Sequence, residues 1–385
     1  MKSLAQARSK LPRSGIREIM EHSAKLPDVI HLEVGEPNAD TPEHVQQAAI
    51  EAIRSGYTHY TANAGFPSLR DAICSHLKRQ YLLTAHPDQI VVTPGAVTAI
   101  AASLLALADA GDEVLIPDPG WPNYEQMVLS QESTPVRYTL HKETGFLPDM
   151  AELERLVTAK TKAIIINSPA NPTGAMFPEQ TLKELLAFAG RHDLYVISDE
   201  VYDGIVFEGK HCCPLSLDQE GRVISVFGFS KNYAMTGWRV GYAVAPLAVA
   251  PMIAKLLEPM VSCASSVSQK AAEAAINGPQ DFVKEMSEVY KRRRDQVCEL
   301  FQNAGIQAYS PAGAFYMLVD IAGTGMAGRE FALALIEEER VAAAPGATFG
   351  ASTEQMIRIS LATEDSLLLE GVKRICRFIA GKTKG

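Results

Sequence analysis

The sequence predicts an α/β fold in two parts, on three observations. From about residue 42 to 245, short apolar segments of strand length alternate with helix-period segments, the pattern of βαβ units and a mostly parallel sheet. The residues least expected in that pattern, Asn171, Asp199 and Lys231, fall just after apolar segments, and parallel sheets bind ligands at the carboxyl ends of their strands. After Pro246 the texture changes to a long polar helix and then an α+β tail.

Taken in order, Thr41-Pro42-Glu43-His44 opens a helix, with Thr41 as its N-cap and Pro42 at the first helical position. A second helix is expected over Phe66–Arg79. Strands follow at Ile90–Thr93, Val114–Pro117, Ala163–Ile166, Tyr195–Ser198, Val223–Phe227 and Arg239–Ala245, most of them separated by helices such as 96–108, 150–157 and 178–189. The polar helix spans Asp281–Asn303. Beyond it lie a strand at Phe315–Val319, a helix at Glu330–Glu338, a strand at Met356–Leu361 and a helix at Asp365–Ile379. At 385 residues the chain is too long for one ordinary core. Residues 42–280 are expected to form a large domain and 281–385 a smaller one, with 1–41 serving as an N-terminal arm and part of the smaller one. No internal repeat is visible, which excludes solenoids.

Composition narrows the function classes. Hydrophobic residues make up 47% and charged residues 21%, the balance of a globular protein that needs neither disulfides nor a structural metal. The net charge of −9, with no lysine/arginine block, disfavours nucleic acid. The apolar run Ala96–Ala108 stops at Asp109, which suits a core helix and not a membrane span. Cys74, Cys212, Cys213, Cys263, Cys298 and Cys376 form no C-x-x-C and have no histidine at ligand spacing. Reduced thiols in a cytoplasmic protein are expected, with no metal. The N-terminus lacks the apolar core of a secretory signal, and its basic residues (Lys2, Arg8, Lys10, Arg13, Arg17) suit an exposed arm.

Chemistry concentrates at a few positions. Lys231 is the only charged side chain between Arg222 and Arg239. Desolvation there lowers an ammonium pKa and frees an amine for Schiff-base chemistry, although a loop lysine reaching back to water reads the same way. Asp199 ends the apolar segment Leu194-Tyr-Val-Ile-Ser-Asp199 and can pair with a cationic heterocycle nitrogen, or it can be a solvated turn residue. Asn171, in Asn-Pro-Thr-Gly174, is kept out of helix by the following proline and can project into a cleft; a plain turn asparagine fits equally well. Val92-Thr-Pro-Gly-Ala-Val-Thr98 joins a strand to a helix and leaves backbone N–H groups to cup an anion. Arg358 lies inside an apolar strand, where it needs an anionic partner, either a substrate carboxylate or an internal salt bridge. Gly323-Thr-Gly-Met-Ala-Gly328 matches the dinucleotide pattern G-x-G-x-x-G. It comes late, and the next strand, Val341-Ala-Ala-Ala, ends without the acid that a ribose needs, so a flexible loop is expected there.

In order and spacing, Gly35-Glu-Pro37, Tyr60 to Gly65, Trp121-Pro122, Asn171-Pro-Thr-Gly174, Asp199 with Tyr202, Ser230-Lys231, Gly237-Trp-Arg239 and Arg358-Ile-Ser360 resemble the class I/II aminotransferases of pyridoxal-phosphate fold type I, over nearly the whole chain. The resemblance implies a large cofactor domain with a mixed, mostly parallel sheet, a small α+β domain, and pyridoxal 5'-phosphate as cofactor. It implies that Lys231 carries the cofactor as a Schiff base and shuttles the proton, and that Asp199 keeps the pyridine nitrogen protonated. Tyr202 and Asn171 bond the ring oxygen, and Trp121 stacks on the ring. Ala96 and Val97 N–H, Ser230 and Arg239 hold the phosphate, and Tyr60 reaches in from the second subunit of a homodimer. Gly35, Asn171 and Arg358, with Trp121 beside them, position the substrate's α-carboxylate. Gly228 departs from the family, many members of which carry a phosphate-binding side chain three residues before the lysine.

The reaction implied is ping-pong transfer of an amino group from an L-amino acid to a 2-oxo acid. A β-lyase or an aminocyclopropane-carboxylate-synthase-like lyase would use the same lysine. A ligand-sensing regulator domain of this fold would need a basic DNA-binding partner domain, which the acidic chain does not suggest. The absence of a basic residue in 96–108 leans away from an acidic substrate side chain.

Overall fold

A computed structural model describes residues 11–383; Lys2, Arg8 and Lys10 of the expected arm lie outside them. The chain is built on a seven-stranded mixed sheet in the order β2-β8-β7-β6-β5-β3-β4. These strands are β2 (Ile90–Thr93), β3 (Glu113–Asp118), β4 (Thr134–Thr139), β5 (Thr161–Asn167), β6 (Tyr195–Asp199), β7 (Val223–Gly228) and β8 (Gly241–Val244), and β1 is the short strand Ile30–His31. Strands β4, β3, β5, β6 and β7 run parallel, whereas β8 is antiparallel to both its neighbours, β7 and β2. Two reversals leave β2 pointing the same way as β7. The carboxyl ends of β2, β3, β5, β6 and β7 therefore share one edge of the sheet.

The isoleucine-rich strands are buried on both faces, as parallel strands under helices must be. Ile164, Ile166 and Val196 pack against Leu182, Leu185 and Phe188 of α7 (Glu179–Arg191), while Ile165, Ile197 and Val226 pack against Ile100 and Leu104 of α4 (Ala96–Leu107). Each such side chain, fully withdrawn from water, contributes about 1.5–3 kcal/mol. The other helices in this part of the chain are α1 (Gly15–Ser23), α2 (Glu43–Arg54), α3 (Pro67–Tyr81), α5 (Asn123–Ser130), α6 (Met150–Leu156), the single turn α8 (Phe229–Asn232), α9 (Ala250–Val261) and α10 (Ser266–Asn277).

The C-terminal part packs α11 (Asp281–Asn303), α12 (Gly328–Glu339) and α13 (Asp365–Thr383) on an antiparallel sheet of order β12-β13-β10-β9. Its strands are β9 (Ala308–Tyr309), β10 (Tyr316–Asp320), β12 (Ala344–Pro345) and β13 (Met356–Ser360). The N-terminal strand β1 pairs in parallel with β11 (Val341–Ala342), so the beginning of the chain is built into this part.

Three expectations need correction. Thr41 does not cap α2: the cap position is Pro42, with no side-chain cap bond. The Thr41 hydroxyl instead donates to Ala234 O at 2.7 Å and accepts from Trp238 Nε1 at 2.9 Å, two partners remote in sequence that outcompete the local one. The strand expected from Arg239 starts only at Gly241, because Arg239 has φ +52°, which no strand residue adopts. Strand β4 is not among the expected strands; its Pro135 is tolerated at the sheet edge, where no ladder bond is lost. The Gly323–Gly328 segment is the turn from β10 into α12. A Cβ on Gly328 would meet Met356 O at 2.7 Å, so this glycine serves close packing of helix on strand.

Candidate active site

The carboxyl edge of the large sheet opens into a cavity of about 380 Å³, which gathers most of the sequence-predicted residues. Asp199 ends β6, Asn167 ends β5 and Gly228 ends β7; Lys231 and Ser230 follow at once on α8. Ala96 and Val97 open α4, Trp121 precedes α5, and Arg358 enters from β13. Gly35, Asn171, Tyr202 and Arg239 complete the set. Tyr60 is not among them: it stands 88% exposed on the outer surface. A second cavity of about 460 Å³ lies beyond Gly228, which lines both, and contains none of the other predicted residues.

Asp199 is buried, which removes the solvated-turn alternative. Its Oδ2 accepts from the Tyr124 hydroxyl at 2.6 Å, and Oδ1 takes a long contact of 3.4 Å from Val201 N–H. Burial raises its pKa to about 6, against the pull of these donors. Among the described residues no cation sits within ion-pair distance of it. A carboxylate in that setting fits a protonated ring nitrogen, which would restore the charge that burial disfavours.

Lys231 is half-buried, with its Nζ donating to Gly35 O at 2.6 Å. Desolvation lowers its pKa to about 8, with Arg239 and Arg358 adding to the shift and Glu36 and Asp199 opposing it. A substantial neutral fraction near physiological pH is the state a nucleophilic amine needs.

Opposite these groups lies a cradle free of side chains. Ala96 and Val97 are the first two residues of α4, so their N–H groups have no intrahelical acceptor. A Cβ on Gly95 would fall 2.6 Å from Arg239 Nη2, and one on Gly241 would fall 2.6 Å from Ala96 N. Arg239, held in the left-handed region, donates to Thr236 O at 2.8 Å, leaving the other guanidinium nitrogen beside the cradle. Helix N-terminus, arginine and excluded Cβ atoms fit a phosphate.

Arg358 is buried and makes no internal salt bridge among the described residues. Nη1 donates to Asn171 Oδ1 at 3.1 Å, Nη2 donates to the Glu33 carbonyl, and Nε has no partner. Burial lowers its pKa, with Tyr316, Tyr202 and Glu33 pulling the other way. A cation this dry and incompletely satisfied suits an incoming carboxylate. Asn171 is itself fixed from below, its N–H donating to Asn167 Oδ1 at 2.7 Å, while Asn167 Nδ2 donates to Asp199 O at 2.9 Å.

Among the cavity residues missed from sequence, Tyr124, Asn167 and Tyr316 are the ones that hold other site groups in place. Each acts through another side chain or a backbone group, and no local pattern marks such a role. Only the position of Asn167 at the end of an apolar strand could have drawn notice.

Comparison with known proteins agrees with this geometry. The family model "Aminotransferase class I and II" matches residues 27–375. The aspartate aminotransferase of Pyrococcus horikoshii is 37% identical over 97% of this chain and 96% of its own length. Aromatic-amino-acid aminotransferase 2 of Thermococcus litoralis is 37% identical over 96% of each chain. The structure of Thermus thermophilus aspartate aminotransferase with maleate superposes with a TM-score of 0.94 at 34% identity, covering 98% of this chain and all of that one. These relatives carry the transferase and not the lyase reaction in their names. The chain belongs to the class I and II aminotransferases, the fold type I enzymes that work with pyridoxal phosphate.

Proposed function

We propose that this cavity performs both halves of an amino transfer between an amino acid and a 2-oxo acid, with Lys231, Asp199 and Arg358 as its three working groups. The observation that carries the proposal is their convergence: one cavity holds an amine of lowered pKa, a buried carboxylate and a buried arginine, the last two without an ion-pair partner among the described residues. When bound, pyridoxal phosphate supplies an electron sink for the carbanion left at the amino acid's α-carbon and a carrier for the nitrogen between the two halves.

The protein's own groups do the rest. Asp199 would hold a proton on the ring nitrogen through opposite charge, and Tyr124 keeps that carboxylate aimed. Tyr202, Asn171 and Trp121 would hold the cofactor's ring, and Ala96 and Val97 N–H, Ser230 and Arg239 would hold its phosphate. Lys231, an amine of lowered pKa in the cavity, would hold the cofactor and is the group placed to take and return a proton at the substrate's α-carbon. Arg358 and Asn171, with Gly35 alongside, bind the α-carboxylate, which turns the α-hydrogen toward Lys231.

Exposed apolar side chains support a second copy as partner. Tyr57, Leu247, Met252, Met260 and Val261 are between 37% and 58% exposed, and Tyr60 is more so. In such a homodimer Tyr60 reaches the partner's phosphate. The six cysteines are all free, and among the described residues no helix is long and apolar enough to cross a membrane; a cytoplasmic enzyme accounts for both.

The relatives are named for aspartate and for aromatic amino acids. Here the wall away from Arg358 carries Ile16, Val97 and Ile100, and the cavity's cations are Lys231, Arg239 and Arg358, each engaged by the roles above. The loop around Tyr60, Thr58-His-Tyr-Thr-Ala-Asn63, adds no lysine or arginine. A second carboxylate would be desolvated without a cation, so we assign a donor with an uncharged aromatic or aliphatic side chain.

In a single turnover without oxo acid, one equivalent of donor should be consumed per site and the visible cofactor band lost. Arg358→Lys should lower kcat/KM about 10–100-fold for every donor alike, the loss of one charged hydrogen bond. Continuous turnover without an acceptor contradicts transfer and favours a lyase. Phenylalanine or leucine should react at least about tenfold faster than aspartate, a difference of about 1.4 kcal/mol; aspartate reacting equally fast or faster contradicts the donor class. Light scattering should give twice the chain mass, and Tyr60→Phe should release cofactor more readily on dilution; a monomer that retains cofactor contradicts the shared site.

A further inference from the structure

Tyr316, on β10, touches both halves of the site. It pairs with Ser360 across the antiparallel ladder, two residues from Arg358 on β13, so the two side chains rise from one face as diagonal neighbours. The Arg358 guanidinium lies over the Tyr316 ring, 4.2 Å from its centre, and the Phe349 ring approaches the same guanidinium at 4.9 Å. At the far end of the ring, the Tyr316 hydroxyl lies 3.0 Å from that of Tyr202, with the two rings edge-on at 85°. Both tyrosines are buried, and burial holds both phenols well on the neutral side.

A phenol has one hydrogen to donate. In this pair either oxygen can be the donor, and the surroundings decide. The Tyr316 oxygen is pressed against the Gly35 backbone, where a Cβ would fall 2.4 Å from it, and Tyr202 is its hydrogen-bond partner. Tyr202 has a further acceptor to serve if it bonds the cofactor's ring oxygen. The arrangement that satisfies both has Tyr316 donating to Tyr202, which leaves the Tyr202 hydrogen for the ring oxygen.

We propose that Tyr316 is a positioning residue for the reaction: its hydroxyl orients the Tyr202 hydroxyl toward the cofactor, and its ring holds the Arg358 guanidinium flat for the substrate carboxylate. The proposal rests on the assignment of Tyr202 to the ring oxygen. A single side chain then ties the cofactor contact to the carboxylate contact, so seating the carboxylate is felt at the ring oxygen.

The test uses the loaded enzyme at rest, with no substrate. A donor to an anionic oxygen lowers the pKa of the group carrying it, so weakening the Tyr202 contact raises the pH midpoint of the visible cofactor band. Tyr202→Phe should raise this midpoint, and Tyr316→Phe should raise it in the same direction by about half to one pH unit. In the Tyr202→Phe background, Tyr316→Phe should add nothing, the non-additivity of groups acting in series. Tyr316→Phe keeps the ring and should bind a simple monocarboxylate inhibitor within about twofold of the original enzyme, while Tyr316→Leu should lose about tenfold, the scale of a desolvated cation–π contact. If Tyr202→Phe leaves the midpoint unmoved, the assignment of Tyr202 falls and the proposal with it. If Tyr202→Phe moves the midpoint and Tyr316→Phe does not, or if Tyr316→Phe shifts it equally in both backgrounds, the role of Tyr316 alone is overturned.

Discussion

A carboxylate buried at the end of a parallel strand must find a cation or give up its charge, and among the described residues Asp199 has no lysine, arginine or histidine within ion-pair distance. Its place follows from the register of β5, β6 and β7, which brings Asn167 level with Asp199 and carries both to the open edge of the sheet. Much of the surrounding site serves that position: Tyr124 donates to the carboxylate, Asn167 to the backbone beneath it, and Lys231 stands one strand further along on the turn after β7. Without a cationic ring nitrogen the arrangement would be a standing electrostatic cost. With one, the same burial keeps the ring protonated and its electron-withdrawing power high.

The second constraint is a complementary one. Arg358 is a buried cation with no ion-pair partner among the described residues, on a strand of the C-terminal sheet that faces the cavity. The two uncompensated charges have opposite sign and sit on different sheets, so the cofactor and the substrate carboxylate would each complete one of them. The Asn171 side chain bonds Arg358 while its backbone is tied to Asn167, and Tyr316 spans from the guanidinium to Tyr202. These links make the gap between the two sheets one site and not two neighbouring ones.

Much of this was legible in the residues themselves. The strands β2, β5, β6 and β7 are isoleucine- and valine-rich runs bounded by polar residues, and Asp281–Asn303 shows a helical period over its full length. Lys231, Asp199 and Arg358 stood out because each is a charged group against an apolar background, and Asn171 because it precedes a proline just past an apolar segment. What escaped notice depended on distant chain. Thr41 looks like a helix cap until Ala234 and Trp238 arrive from almost two hundred residues away. Tyr124 and Tyr316 look like ordinary core aromatics, because a tyrosine's hydroxyl partner is set by tertiary packing that leaves no mark in the local pattern. Strand β4 carries Pro135, which only its edge position makes harmless.

Central to this account is Lys231 as the amine that would hold the cofactor: among the described lysines it alone combines a lowered pKa with a place in the cavity that also holds Asp199 and the first residues of α4. The direct measurement is borohydride reduction of the loaded enzyme followed by peptide mapping. The cofactor mass should be found on the peptide containing Ser230-Lys231-Asn232 and should vanish in Lys231→Ala. A stoichiometric label on any other lysine would contradict the account.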